Sequence, residues 1–75
     1  MSKPTRITNS IRALRFARGE MTQAELAQRI GVTRQTIIAI EQGRYSPSLE
    51  VAFQIARVLK VPLDEVFQYP DKESR

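Results

Sequence analysis

The sequence predicts an all-α domain of five short helices, and three observations carry that expectation. Apolar residues recur every three or four positions through successive stretches of chain, while no segment alternates as a half-buried strand does. Gly19, Gly31 and Gly43 fall where those stretches end, and glycine is the residue best suited to the left-handed turn after a helix. A length of 75 residues leaves room for one small domain and no second.

The elements follow in order. Residues 1–8 read as a flexible arm, because Pro4 and the surrounding Ser and Thr disfavour an early helix. Ile11, Leu14 and Ala17 form the apolar face of a first helix over about residues 9–18, with Gly19 stopping it. Thr22 and Glu25 make a capping box, the Thr oxygen accepting a backbone N–H and Glu25 reaching back to the cap. The second helix turns Leu26, Ala27 and Ile30 inward and ends at Gly31. Thr33 caps a third, with Ile37 and Ile40 inward, which ends near Gly43. After the loop Ser46-Pro47-Ser48, Ser48 caps a fourth helix over about residues 49–60 with Leu49, Ala52, Phe53, Ile55, Ala56 and Leu59 as its apolar positions. Pro62 breaks it and starts a short fifth helix over about residues 63–67. The domain proper therefore spans residues 9–69, followed by a polar tail over 70–75.

Composition narrows the function. The net charge is +4, and it is unevenly placed: residues 1–45 carry eight cations against three carboxylates, residues 46–75 four against five. Nine of the twelve cations are Arg, which favours planar bidentate partners such as phosphate and guanine edges. One basic half is expected of a protein that meets a polyanion on a single face; the alternative is an ordinary solvated basic surface. Cys and His are both absent. Disulfides, thiolate metal sites and the Ser/His or Cys/His catalytic pairs are thereby excluded, so no enzyme activity, metal or cofactor is expected. No apolar run approaches the ~20 residues of a membrane helix and no signal peptide is read, so a cytoplasmic protein with no membrane or small-molecule partner is expected.

The most specific stretch lies between Gln23 and Gln42. Leu26, Ile30, Val32, Ile37 and Ile40 supply aliphatics at compatible offsets. Ala27 sits where two steeply crossing helices approach most closely, and Gly31 opens a turn of about three residues. A generic helical hairpin is the competing reading. The run Gln23-Ala24-Glu25-Leu26-Ala27-Gln28-Arg29-Ile30-Gly31-Val32-Thr33-Arg34-Gln35-Thr36-Ile37 closely resembles the DNA-binding helix-turn-helix of the Xre family of phage repressors and Cro-like proteins. The likeness continues through Ile40-Glu41-Gln42-Gly43-Arg44 and Pro47-Ser48-Leu49-Glu50, and covers roughly residues 9–69. It implies a lambda-repressor-like domain with the motif at about residues 23–42, in the form of a stand-alone small transcriptional regulator, a repressor.

The resemblance also assigns residues. Arg34, Gln35, Thr36 and Ala39 occupy the base-reading positions of the third helix. Arg can bond guanine O6 and N7 together, Gln adenine N6 and N7, and Thr a phosphate or a thymine methyl. Family members often carry a polar side chain where this chain has Ala39, so one polar base contact is missing; Ile38 is expected to pack against a neighbouring helix. Gln23, Thr33, Arg44 and Tyr45 match phosphate-contacting positions, Gln23 at a helix N-terminus where N–H groups favour an anion. Tyr45 also reads as a surface aromatic packed on its loop, and Lys3 and Arg6 add at most diffuse attraction. Arg15 and Glu41 match a structural ion pair, although Glu20 is an insertion before Met21 relative to many relatives.

Val51 and Val58 lie outside the apolar stripe of the fourth helix, and Val61, Leu63, Val66, Phe67 and Tyr69 add further apolar surface. Val51, Val58, Val66 and Phe67 are therefore the candidate homodimer interface, matched to a near-palindromic double-stranded operator. The alternative function is an antitoxin or adaptor-type protein-interaction module with secondary DNA binding.

Overall fold

A computed structural model describes residues 5–70. The chain runs β1 (Thr8–Asn9), α1 (Ile11–Ala17), α2 (Gln23–Ile30), α3 (Arg34–Glu41), α4 (Leu49–Leu59), α5 (Leu63–Val66) and β2 (Phe67–Gln68). Lys3 of the arm and all but Pro70 of the polar tail lie outside the described residues.

The five expected helices are all present, and the helix starts follow their caps. Thr22, Thr33 and Ser48 each accept the backbone N–H three residues on, at 3.0, 3.2 and 3.2 Å, which satisfies a donor with no partner inside its helix. The Thr22 box is only half formed: Glu25 turns its carboxylate to Arg29 at 3.6 Å, one turn along the exposed face. Helix α1 starts two residues later than expected, after Ser10. Asn9 takes the capping role instead, its Oδ1 accepting the Ile11 N–H at 3.2 Å while its Nδ2 donates to the Ile40 carbonyl at 3.0 Å.

A two-stranded antiparallel ladder, Thr8 opposite Gln68 and Asn9 opposite Phe67, corrects the expectation of a strandless chain. Two residues are too few to show alternation. The pairing draws Thr8 out of the expected arm and ends α5 at Val66, before Phe67. The Ser10 N–H donates to the Val66 carbonyl at 2.9 Å, so the two ends of the domain are closed on each other.

One apolar cluster joins Ile11, Met21, Leu26, Ala27, Ile30, Ile37, Ile40, Ile55, Ala56, Leu59 and Val66. The inward residues expected of α2 and α3 are in it. Two helices differ from their expected faces. Ala17 of α1 is exposed, and Arg15 is buried in its place. On α4, Ala52, Ile55, Ala56 and Leu59 are buried, but Leu49 and Phe53 stay 71% and 52% exposed. The two are one turn apart at the edge of the apolar face of a helix that already covers the core with four residues. Helix α4 ends just ahead of Pro62. Lys60 adopts φ +61° and the Val61 N–H reaches back to the Ala56 carbonyl at 3.2 Å, a left-handed termination made without glycine.

Candidate nucleic-acid interface

Helices α2 and α3 form a tight pair because the three residues between them reverse the chain at once. Gly31 takes φ +78°, and the Val32 N–H closes on the Ala27 carbonyl at 3.0 Å. Val32 then packs against the core, and Thr33 starts α3. The result directs the N-terminal turn of α3 away from the body of the domain. Arg34 and Gln35 are exposed there, and Arg34 makes no ion pair among the described residues. Thr36 is half-buried, its hydroxyl 3.0 Å from that of Thr33. Ile38 and Ala39 are half-buried; Arg44 and Tyr45 are exposed beyond the end of the helix. Within α3 itself, the long polar side chains that reach outward are thus those of its first turn.

A buried polar junction holds that helix against α1 and α2. The Arg15 Nε and Nη2 donate to Glu41 Oε2 and Oε1 at 2.7 and 3.2 Å, and Nη1 donates to the Met21 carbonyl at 2.7 Å. Gln23 Nε2 donates to the same Glu41 Oε1 at 3.1 Å. The Arg15 and Glu41 side chains are only 7% and 10% exposed. A single carboxylate therefore ties together the last residue of α3, the middle of α1 and the first residue of α2. The Gln23 amide is turned toward this junction, and its backbone stands at the exposed start of α2. The N-terminal end of that helix carries a partial positive charge suited to phosphate.

An open groove runs between α1 and the beginnings of α2 and α3, lined by Arg12, Phe16, Thr22, Gln23, Arg34 and Gln42 among others. The sequence alone gives Arg12 and Phe16 no role, although it shows their spacing of one helical turn. Among the described residues no His, Cys, Asp and Glu cluster is built to hold a metal, and no helix is long and apolar enough to cross a membrane.

The four residues expected at a dimer contact do not share one environment. Val66 is completely buried and so is removed from that surface; it closes the core beneath the strand ladder. Val51, Val58 and Phe67 are half-buried and packed against the core from outside.

A family model described as Helix-turn-helix matches residues 11–66. The chain belongs to the Xre-like helix-turn-helix family. An uncharacterised HTH-type transcriptional regulator of Methanocaldococcus jannaschii is 53% identical over 53 residues, covering 71% of this chain and 80% of that protein. The cryptic phage CTXphi transcriptional repressor RstR of Vibrio cholerae is 39% identical over 79% of this chain, which spans 52% of the repressor's length. The crystal structure of a Bacteroides fragilis protein described as DNA-binding has the same fold, with a TM-score of 0.72 at 24% identity, over 83% of this chain and 98% of that one. The helix-turn-helix assignment covers every residue of the polar junction and of the exposed first turn of α3.

Proposed function

We propose that this chain is a sequence-specific double-stranded DNA-binding transcriptional regulator, a repressor, that inserts α3 into the major groove as a homodimer. The observation that carries the reading is the exposed pair Arg34 and Gln35 on the first turn of α3, beside the start of α2. Base edges are read by side chains at the N-terminal end of such a helix, and Arg and Gln offer bidentate donors for guanine and adenine. Thr36 and Ala39 lie further along the same helix and contribute a short polar and an apolar contact. Gln23, Thr33, Arg44 and Tyr45 take backbone phosphates, which set register without reading sequence. The uneven charge of the chain supports the same face, and the Vibrio cholerae relative, a transcriptional repressor by name, supports repression.

One recognition helix reads only a few base pairs, too little to find one site in a genome. Two copies about a two-fold axis read a near-palindrome with half-site centres ~10 base pairs apart. Val51, Val58 and Phe67 are the surface assigned to that contact.

Binding-site selection tests the reader. Arg34→Ala and Gln35→Ala are each expected to relax discrimination at one or two base positions, at about 1–3 kcal/mol per lost bidentate contact. Gln23→Ala is expected to weaken specific and nonspecific binding alike. Unchanged base preference in both α3 variants would remove α3 as the reading element. Sedimentation tests assembly: Phe67→Glu is expected to shift the protein toward monomer with its helical content kept. A wild-type chain that remains monomeric both free and on DNA would rule the dimer out.

A further inference from the structure

We propose that Arg12 and Phe16 form a backbone clamp on α1, in which the Arg12 guanidinium takes a DNA phosphate and the Phe16 ring lies against the adjoining deoxyribose. The proposal rests on the DNA-binding reading above and extends the contact surface to a helix outside the two-helix motif. Four observations carry it. Arg12 and Phe16 stand one turn apart on α1, both exposed, and both line the groove that also contains Gln23 and Arg34. A single strand of backbone following the groove from Arg34 therefore passes them.

The second observation is preorganisation. The Arg12 Cζ sits 5.8 Å from the centre of the Phe16 ring, and the Arg15 Cζ lies at the same distance. Arg15 is immobilised by its hydrogen bonds to Glu41 and Met21, so the ring rests against a fixed cation and in turn supports Arg12. Attraction between a guanidinium and an aromatic face holds the charge outward at little entropic cost.

Third, Arg12 has no carboxylate within ion-pair distance among the described residues, whereas Arg15 is committed to Glu41 and Arg29 to Glu25. Its charge is available to a ligand. Fourth, Phe16 is 53% exposed and takes no part in the apolar core. The exposed part of an apolar ring next to a planar five-donor cation complements the alternation of sugar and phosphate along one strand. Glu20 is the one carboxylate of the groove that no cation neutralises among the described residues. It opposes a polyanion there.

The test is binding of the full chain to its selected operator and to a scrambled duplex across a salt series, with thermal melting as the folding control. Arg12→Ala is expected to lower affinity for both duplexes by the same factor, about tenfold at low salt. The slope of log affinity against log salt should fall by about 1, as for one lost phosphate. Phe16→Ala should cost several-fold in the wild-type background and clearly less when combined with Arg12→Ala, the coupling expected of one unit. Glu20→Gln should tighten binding to both duplexes. Unchanged affinity and salt slope in Arg12→Ala, with the wild type binding normally, would overturn the clamp and leave the reading of α3 intact. A wild-type chain that binds neither duplex would overturn that reading, and the clamp with it.

Discussion

All five helices share one apolar core, but α1, α2 and α3 are also fixed by a buried polar junction, whereas α4 and α5 rely on that core and a two-residue strand ladder. The difference follows from what each half carries. Apolar side chains hold helices together but leave a polar group at a helix end free to turn. A carboxylate shared by Arg15 and Gln23 fixes the end of α3, the middle of α1 and the start of α2 in one geometry because hydrogen bonds are directional. Glu41 also lies next to a surface assigned to a polyanion, where an unpaired carboxylate would be repelled. Arg15 cancels its charge, so the junction lends rigidity to the interface without adding repulsion.

Breaking the junction is the largest expected effect. Glu41→Ala strands the Arg15 guanidinium in a site 7% exposed, and removing one partner of such a buried pair costs about 3–5 kcal/mol. Denaturant unfolding checks this: a loss under ~1 kcal/mol would mean that the pair behaves as a surface salt bridge. Replacing both partners by apolar residues is expected to restore much of the stability while disordering the start of α2, which separates the fold from the positioning of Gln23.

Two smaller changes compare the halves through their helix ends. Helices α2 and α4 terminate alike, with φ +78° at Gly31 and +61° at Lys60. A Cβ at Gly31 meets nothing within 4 Å, so Gly31→Ala carries only the backbone penalty of the left-handed region, about 1 kcal/mol. Lys60→Gly relieves that penalty and is expected to raise stability by about 0.5–1 kcal/mol, seen as a higher thermal midpoint. Opposite signs at the two positions are the expected outcome. Equal signs would mean that contacts of the Lys60 side chain outweigh its backbone strain.

Much of the candidate site was legible because it is local. The starts of α2, α3 and α4 follow from Thr22, Thr33 and Ser48, whose oxygens cap donors three residues away. Gly31 marks the turn for the same short-range reason, and the face of α2 follows from the spacing of Leu26, Ala27 and Ile30. The exposed first turn of α3, with Arg34 and Gln35, comes with that geometry.

Long-range contacts settled the remainder. Periodicity shows that α4 has an apolar face, but α4 has more apolar residues than the core covers, and only packing leaves Leu49 and Phe53 outside. Val66 and Val58 read alike in sequence, yet Val66 closes the core because the Ser10 N–H and the β1–β2 ladder draw it inward. Arg15 and Glu41 could be paired from family likeness, but the burial of both and the sharing of Glu41 with Gln23 depend on where three helices cross. Caps, turns and apolar stripes are decided within about four residues of chain, so they are written in the sequence of this protein. Which stripe is covered, and which charge is buried, depends on residues tens of positions apart meeting in space, and that the tertiary structure alone decided.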